Sequence, residues 1–282
     1  ALMLAGSTEL QLGAPSQAES FLARAAQLAP QSIDARRLLA EAYLRMRQPS
    51  KALATLQPLL EMKTPLPQAL ALAAQAHLLE GDTKTAETLF ARAAQLRPDD
   101  KRLNAALALS QIARGQADNG FGELQRLAAA DEGRSVDMAL ITARIQRREF
   151  DAAMQAIDAL QKKQPDSPVP LHLRGRVHVL KQEIDLARKA FESALAKDDK
   201  YVPAVGALAA LDMRQGDAAA AQARFAKLIE RDPKNVPAML AMADLKQRSG
   251  APAPEVNKAY ADAVAAAPAT DTQARGAQID HL

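Results

Sequence analysis

The sequence predicts an all-α fold in which antiparallel helix pairs stack into a solenoid. Two stretches repeat one pattern, because a Gly-Asp turn at Gly81 and another at Gly216 each precede a helix with a phenylalanine at its ninth following position, Phe90 or Phe225. Apolar residues make up 48% of the chain and aromatic residues only 3%. The apolar content is therefore mostly alanine and leucine, which are strong helix formers.

Prolines mark the period of the repeat. Pro30 and Pro98 lie 68 residues apart, as do Pro165 and Pro233, which corresponds to two steps of 34. A period of this length fits a unit of helix A, a tight turn, helix B and a proline-containing connection. A single array over residues 1–282 is predicted, with units at 1–30, 33–64, 67–98, 101–132, 134–165, 168–199, 202–233 and 236–268, followed by a truncated helix at 271–282.

Composition excludes several classes of function. The net charge of +3 arises from 36 basic and 33 acidic residues that are spread along the chain, so no nucleic-acid partner is expected. The lack of cysteine excludes disulfides and thiolate metal sites but leaves the compartment open. Phosphate loops and Ser/His/Asp arrangements are also missing from the sequence. We therefore predict a non-enzymatic protein with no catalytic residue and no cofactor.

The histidines and the paired aspartates are interpreted as structural residues. No two of the four histidines have the i, i+4 spacing of metal ligands on one helical face, so no metal site is predicted. His77 and His178 occupy the helix A position of Tyr43, a packing position, and are expected to be buried or half-buried. The pairs Asp99-Asp100 and Asp198-Asp199 precede predicted helices and are expected to cap them.

The period and the alternation of small and large residues resemble the tetratricopeptide repeat superfamily. The resemblance implies a right-handed superhelix whose concave surface is lined by helix A. Mapped onto this sequence, that surface is apolar in the middle and polar at the ends, which suits an extended segment or an amphipathic helix of a partner protein. The alternative is that many of these leucines only pack one helix A on the next. The candidate partner-binding residues are Arg37, Glu41, Leu72, Leu78, Leu79, Leu109, Ile112, His172, Arg176, Val179 and Met213.

Three longer segments carry a finer resemblance. RGQADNGFGELQRLAAADEG, FDAAMQAIDALQKKQPDSPVPLHLRGRVH and KDDKYVPAVGALAALDMRQGDAAAAQARFAKLIERDPKNVPAMLAMADL look like the PEP-CTERM system TPR-repeat lipoprotein family. This resemblance implies a bacterial protein of the periplasm or outer membrane that serves exopolysaccharide export or envelope protein sorting. Because the chain starts as a repeat already under way, we expect a fragment, with membrane contact only through a lipid anchor outside it.

Three hypotheses follow. The first is a scaffold that binds protein or peptide segments. The second is the repeat arm of a larger enzyme such as a glycosyltransferase. The third is a structural module that associates with itself through open terminal helices.

Overall fold

The computed structural model describes residues 1–267, which contain sixteen helices and no strand. The chain divides into two compact units, Ala1–Ala143 and Arg144–Leu282, the second of which is described up to residue 267. The predicted helix at 271–282, together with Pro268 and His281, lies outside the described residues. The predicted all-α class is confirmed.

In the first unit, neighbouring helices pack in the order of the sequence from α1 to α8, and α3 also contacts α1 and α5. This packing of each helix against its neighbours in sequence is the arrangement of a solenoid. The helices are α1 (Leu2–Gln11), α2 (Pro15–Leu28), α3 (Ile33–Arg45), α4 (Pro49–Leu60), α5 (Pro67–Glu80), α6 (Thr83–Leu96), α7 (Lys101–Ala113), α8 (Ala117–Ala130) and α9 (Ser135–Gln146), the last of which crosses the unit boundary.

The second unit follows the same scheme, with sequential packing from α10 to α16 and an additional contact between α13 and α15. Each unit is thus a stack of helix pairs, as the sequence predicts. The helices are α10 (Phe150–Lys163), α11 (Val169–Leu180), α12 (Ile184–Lys197), α13 (Val202–Arg214), α14 (Ala218–Arg231), α15 (Val236–Arg248) and α16 (Ala253–Ala266).

A single residue in the left-handed conformation reverses the chain between the two helices of each pair. We call it the turn residue, and it recurs in steps of 34 except for one step of 33 between positions 115 and 148. Glycine suits this conformation because it has no Cβ, yet three turns use other residues. The turn residues are Gly13, Arg47, Gly81, Gly115, Arg148, Gln182, Gly216 and Gly250. Counting from them identifies equivalent positions in successive repeats.

Helix capping agrees with the sequence prediction at one acidic pair and differs at the other. Asp100 accepts a hydrogen bond from the backbone N–H of Leu103 at 3.3 Å, which confirms it as a cap of α7. The expected capping by Asp198-Asp199 is wrong, because α13 begins only at Val202. Asp198 instead accepts a backbone N–H within the connection, and Asp199 forms an ion pair with Arg231 at 2.7 Å.

Close helix approach in the core depends on glycine at three positions, Gly6, Gly120 and Gly175. A Cβ added at Gly175 on α11 would lie 2.4 Å from the ring of Phe191 on α12. A Cβ at Gly120 on α8 would lie 2.5 Å from the carbonyl oxygen of Ala108 on α7. Both distances are too short for real atoms, so these glycines set how closely the two helices of their pairs approach.

Candidate functional site

A groove of about 550 Å³ opens between α3 and α5 in the first unit. The two helices occupy equivalent places in successive repeats and contact each other directly. Most of the lining is apolar, with one ion pair and one amide. The lining residues are Glu41, Leu44, Arg45, Leu72, Gln75, Leu78 and Leu79.

The floor of the groove is part of the core, whereas its mouth is exposed. Leu44 is buried in one cluster with Ala73 and Ala76, and Leu72 packs against that cluster. The side chain of Leu79, in contrast, is 42% exposed. Ala73 and Ala76 have small side chains, so the helix backbones lie close together beneath the groove. The groove is therefore an apolar surface with a buried floor, and it is open to solvent on one side.

One wall of the groove is fixed and electrically neutral. The Nη2 of Arg45 donates to Oε1 of Glu41 at 2.8 Å, and its Nη1 donates to the backbone oxygen of Leu10 in α1 at 2.5 Å. The guanidinium is therefore held from two helices and its charge is compensated. A segment bound in the groove would meet no uncompensated charge on this wall.

The structure brings together part of the predicted partner-binding surface. Arg37 lies outside the groove, paired with Asp34 at 3.5 Å. The sequence prediction omits Leu44 and Gln75, although these lie one period of 34 from Leu78 and Glu41 and are found by that equivalence. The predicted residues that line the groove are Glu41, Leu72, Leu78 and Leu79.

Three of the remaining apolar predictions, Ile112, Val179 and Met213, have a packing role within their own unit. Leu78, Ile112, Val179 and Met213 all stand three positions before a turn residue. Ile112 is buried, with its Cγ1 only 2.5 Å from where a Cβ on Gly120 would stand, so it lies in the core instead of on an accessible face. Val179 and Met213 are half-buried and pack against core clusters of the second unit.

Leu109 and Arg176 remain available on helix surfaces. Leu109 is half-buried on α7, at the position equivalent to Gln75. Arg176 is exposed on α11, in the second unit. Neither lines the groove between α3 and α5.

His172 is directed towards the core of the second unit, in contrast to its predicted place on an open face. Its ring lies 5.4 Å from that of Phe191 and 5.7 Å from that of Tyr201, measured between centroids. The Nδ1 atom is buried and has no hydrogen-bond partner among residues 1–267. Burial, with a smaller contribution from the charge of Arg176, lowers the pKa of His172 to about 4.

This lowered pKa predicts acid sensitivity. Between pH 6.5 and about 4 the unfolded chain binds a proton at His172 that the folded chain does not, so the stability should fall as the pH decreases through this window. His172→Gln should lose less stability than the wild type between pH 7 and pH 4.5, as measured by urea unfolding. Equal losses in the variant and the wild type would contradict the prediction.

The other two described histidines are half-buried, as predicted. The side chains of His77 and His178 are 24% and 13% exposed. The Nδ1 of His178 lies 2.6 Å from Oε2 of Glu183, a residue that follows the turn. This contact lowers the pKa of Glu183. The role of His178 is therefore to hold helix A against the turn.

A buried ion cluster in the second unit has no counterpart in the sequence predictions. Asp212 on α13 is only 4% exposed. Arg188 of α12 donates to its Oδ1 at 2.8 Å, and the Nε of Arg224 on α14 donates to its Oδ2. Burial alone would raise the pKa of Asp212, but the hydrogen bonds from Arg224 and Arg188 outweigh it and hold that pKa below its usual value. The cluster thus ties three consecutive helices together.

Two further classes of site were sought among residues 1–267. No group of three or more histidine or acidic side chains there could hold a metal ion. The same residues include no helix with the length and hydropathy needed to cross a membrane.

The comparisons with known proteins agree with this geometry. Residues 9–76 and 179–245 match the tetratricopeptide repeat family. The chain is therefore similar to tetratricopeptide repeat proteins over these two segments. The first segment contains most of the groove, because residues 9–76 include α3 and most of α5. A search of curated proteins gave no significant match.

Solved structures of low sequence identity are similar to this chain in fold. The APC/C hetero-tetramer Cut9-Hcn1 is similar with a TM-score of 0.50 and 14% identity, over 100% of this chain and 55% of the other. The chain therefore spans little more than half the length of that relative. PilF of Pseudomonas aeruginosa is similar with a TM-score of 0.50 and 18% identity, over 72% of this chain and 93% of the other.

Proposed function

We propose that this repeat protein is a non-enzymatic scaffold that receives a segment of a partner protein in the groove between α3 and α5. The observation that carries the proposal is Leu79, which is 42% exposed above an apolar floor. Exposed apolar surface that is rimmed by polar groups is typical of protein interaction sites. Apolar side chains of the partner would bury this surface.

The chemistry of the groove indicates which kind of segment fits. A volume of about 550 Å³ lies in the range of ordinary binding pockets and admits a few large side chains. The exposed amide of Gln75 offers both a donor and an acceptor to a partner backbone. Because Glu41 compensates Arg45, the anchoring side chains should be apolar and uncharged.

A photo-crosslinking experiment tests this proposal. A photoreactive amino acid placed at Gln75 should capture a protein in cells of the source organism, and Leu79→Asp should lower that capture by at least about tenfold because a buried, unpaired charge is costly. Leu180→Asp is the matched control, since Leu180 is 44% exposed and holds the equivalent position in another repeat. Capture that is unchanged by Leu79→Asp, or lost equally in the control, would exclude the groove.

A finer role is proposed from the sequence resemblance alone. We propose that the scaffold serves exopolysaccharide export or envelope protein sorting and is located in the periplasm or at the outer membrane. The three segments that resemble PEP-CTERM system lipoproteins support this role. Deletion of the gene should then reduce secreted polysaccharide, and a copy carrying Leu79→Asp should not restore it. Normal polysaccharide in the deletion strain would contradict this role.

A further inference from the structure

An exposed row of apolar side chains runs along one edge of the first unit. Leu28, Met62 and Leu96 each stand fifteen positions after a turn residue. Leu28 and Leu96 are the last residues of α2 and α6, whereas Met62 lies in the connection that follows α4. The exposed fractions of Leu28, Met62 and Leu96 are 73%, 39% and 44%. Because equivalent positions of stacked repeats lie on the same edge, these three residues form one line, which we call the apolar row.

Cations without a partner flank the apolar row. Arg24 and Arg92 stand one helical turn before Leu28 and Leu96, on the same helix faces, and Lys63 and Arg97 directly follow Met62 and Leu96. All four are exposed, and none forms an ion pair with another residue within 1–267. The acids in the adjoining connections include Glu61, which accepts a hydrogen bond from Gln57 at 2.7 Å, and Asp99. The four cations outnumber these two exposed acids, so the apolar side chains lie among an excess of positive charge.

The second unit shows that repeat geometry does not require this arrangement. Its residues at the positions equivalent to the apolar row are Lys163, Lys197 and Arg231. Lys197 pairs with Asp166 at 3.3 Å, and Arg231 pairs with Asp199 at 2.7 Å. The same edge position is thus charged and neutralised in one unit, but apolar and flanked by free cations in the other.

We propose that the apolar row and its four cations dock the first unit on an anionic lipid surface. Apolar side chains insert between headgroups while adjacent Lys and Arg side chains bind lipid phosphates, which is the chemistry of peripheral membrane attachment. Single tips separated by a whole repeat suit a deformable bilayer, whereas a protein partner requires a continuous, closely packed core. This surface is formed by α2, α6 and the connection after α4, so its test is independent of the groove between α3 and α5.

Vesicle co-sedimentation of the full chain tests the proposal. Vesicles of equal parts phosphatidylcholine and phosphatidylglycerol should bind the chain, and high salt should weaken binding. Arg24→Gln combined with Arg92→Gln should weaken it by about twenty-five-fold, since each cation contributes about fivefold. Leu28→Asp combined with Leu96→Asp should weaken it by at least about tenfold because the apolar insertion is lost.

Matched controls decide the outcome. Leu186→Asp changes a leucine of 47% exposure on α12 and should leave binding unchanged. Equal binding to pure phosphatidylcholine, or no binding to either vesicle, would overturn the proposal, as would equal loss in the Leu186→Asp control. Retention on soluble polyglutamate without vesicle binding would assign the edge to an acidic protein and also overturn it.

Discussion

Replacing Phe191 with alanine should lower the free energy of unfolding by about 3–5 kcal/mol. The Phe191 ring is only 1% exposed and packs with Ala187, Leu208 and Leu211, opposite Gly175. Its removal leaves a cavity where α11, α12 and α13 meet, and alanine cannot fill it. Urea unfolding followed by circular dichroism would measure the loss.

A pair of variants separates cavity formation from general damage. Gly175→Ala alone should cost about 1–3 kcal/mol, because its new methyl group overlaps the Phe191 ring. The double variant Gly175→Ala with Phe191→Leu recreates the buried pair Ala40 and Leu56 of an earlier repeat. It should therefore cost less than the sum of the two single changes. Strict additivity would contradict this account of the contact.

The sequence predicts the repeat well where one residue type has one physical role. Glycine followed nine positions later by phenylalanine identifies Gly81 with Phe90 and Gly216 with Phe225, because a turn and a core position have fixed spacing along a helix. Three other turns carry Arg47, Arg148 or Gln182 in the left-handed conformation. No local signal marks those turns, since packing of the two helices imposes the conformation.

The candidate site is less predictable because exposure depends on how closely helices approach. Leu78 and Ile112 hold equivalent positions, and both belong to the predicted surface, but only Leu78 lines the groove. Ile112 is buried because Gly120 lets α8 approach α7 closely. His172 was predicted to face a partner, whereas packing turns its ring towards Phe191. The sequence contains these residues but not the distances that decide their roles.

Replacing Asp212 with alanine should cost about 3–5 kcal/mol, because a partner is removed from a buried ion cluster. Arg188 and Arg224 are only 23% and 29% exposed and would lose the carboxylate that compensates both. Arg188 would keep only its hydrogen bond to Gln215, at 3.0 Å. The loss should appear in urea unfolding and as faster amide hydrogen exchange in α12, α13 and α14, the helices that the cluster joins.

A triple variant distinguishes the cost of uncompensated charge from a requirement for this carboxylate. Arg188→Met, Asp212→His and Arg224→Ala together recreate Met154, His178 and Ala190, the residues at the equivalent positions of the preceding repeat. Removing one partner of a buried ion cluster leaves the other charges uncompensated, whereas the triple variant removes both arginines together with the carboxylate, so it should be more stable than Asp212→Ala. The opposite order would mean that α13 requires the carboxylate itself. The expected order would mean that the cluster serves to pack α13 against α12 and α14. Other side chains fill this role elsewhere in the array.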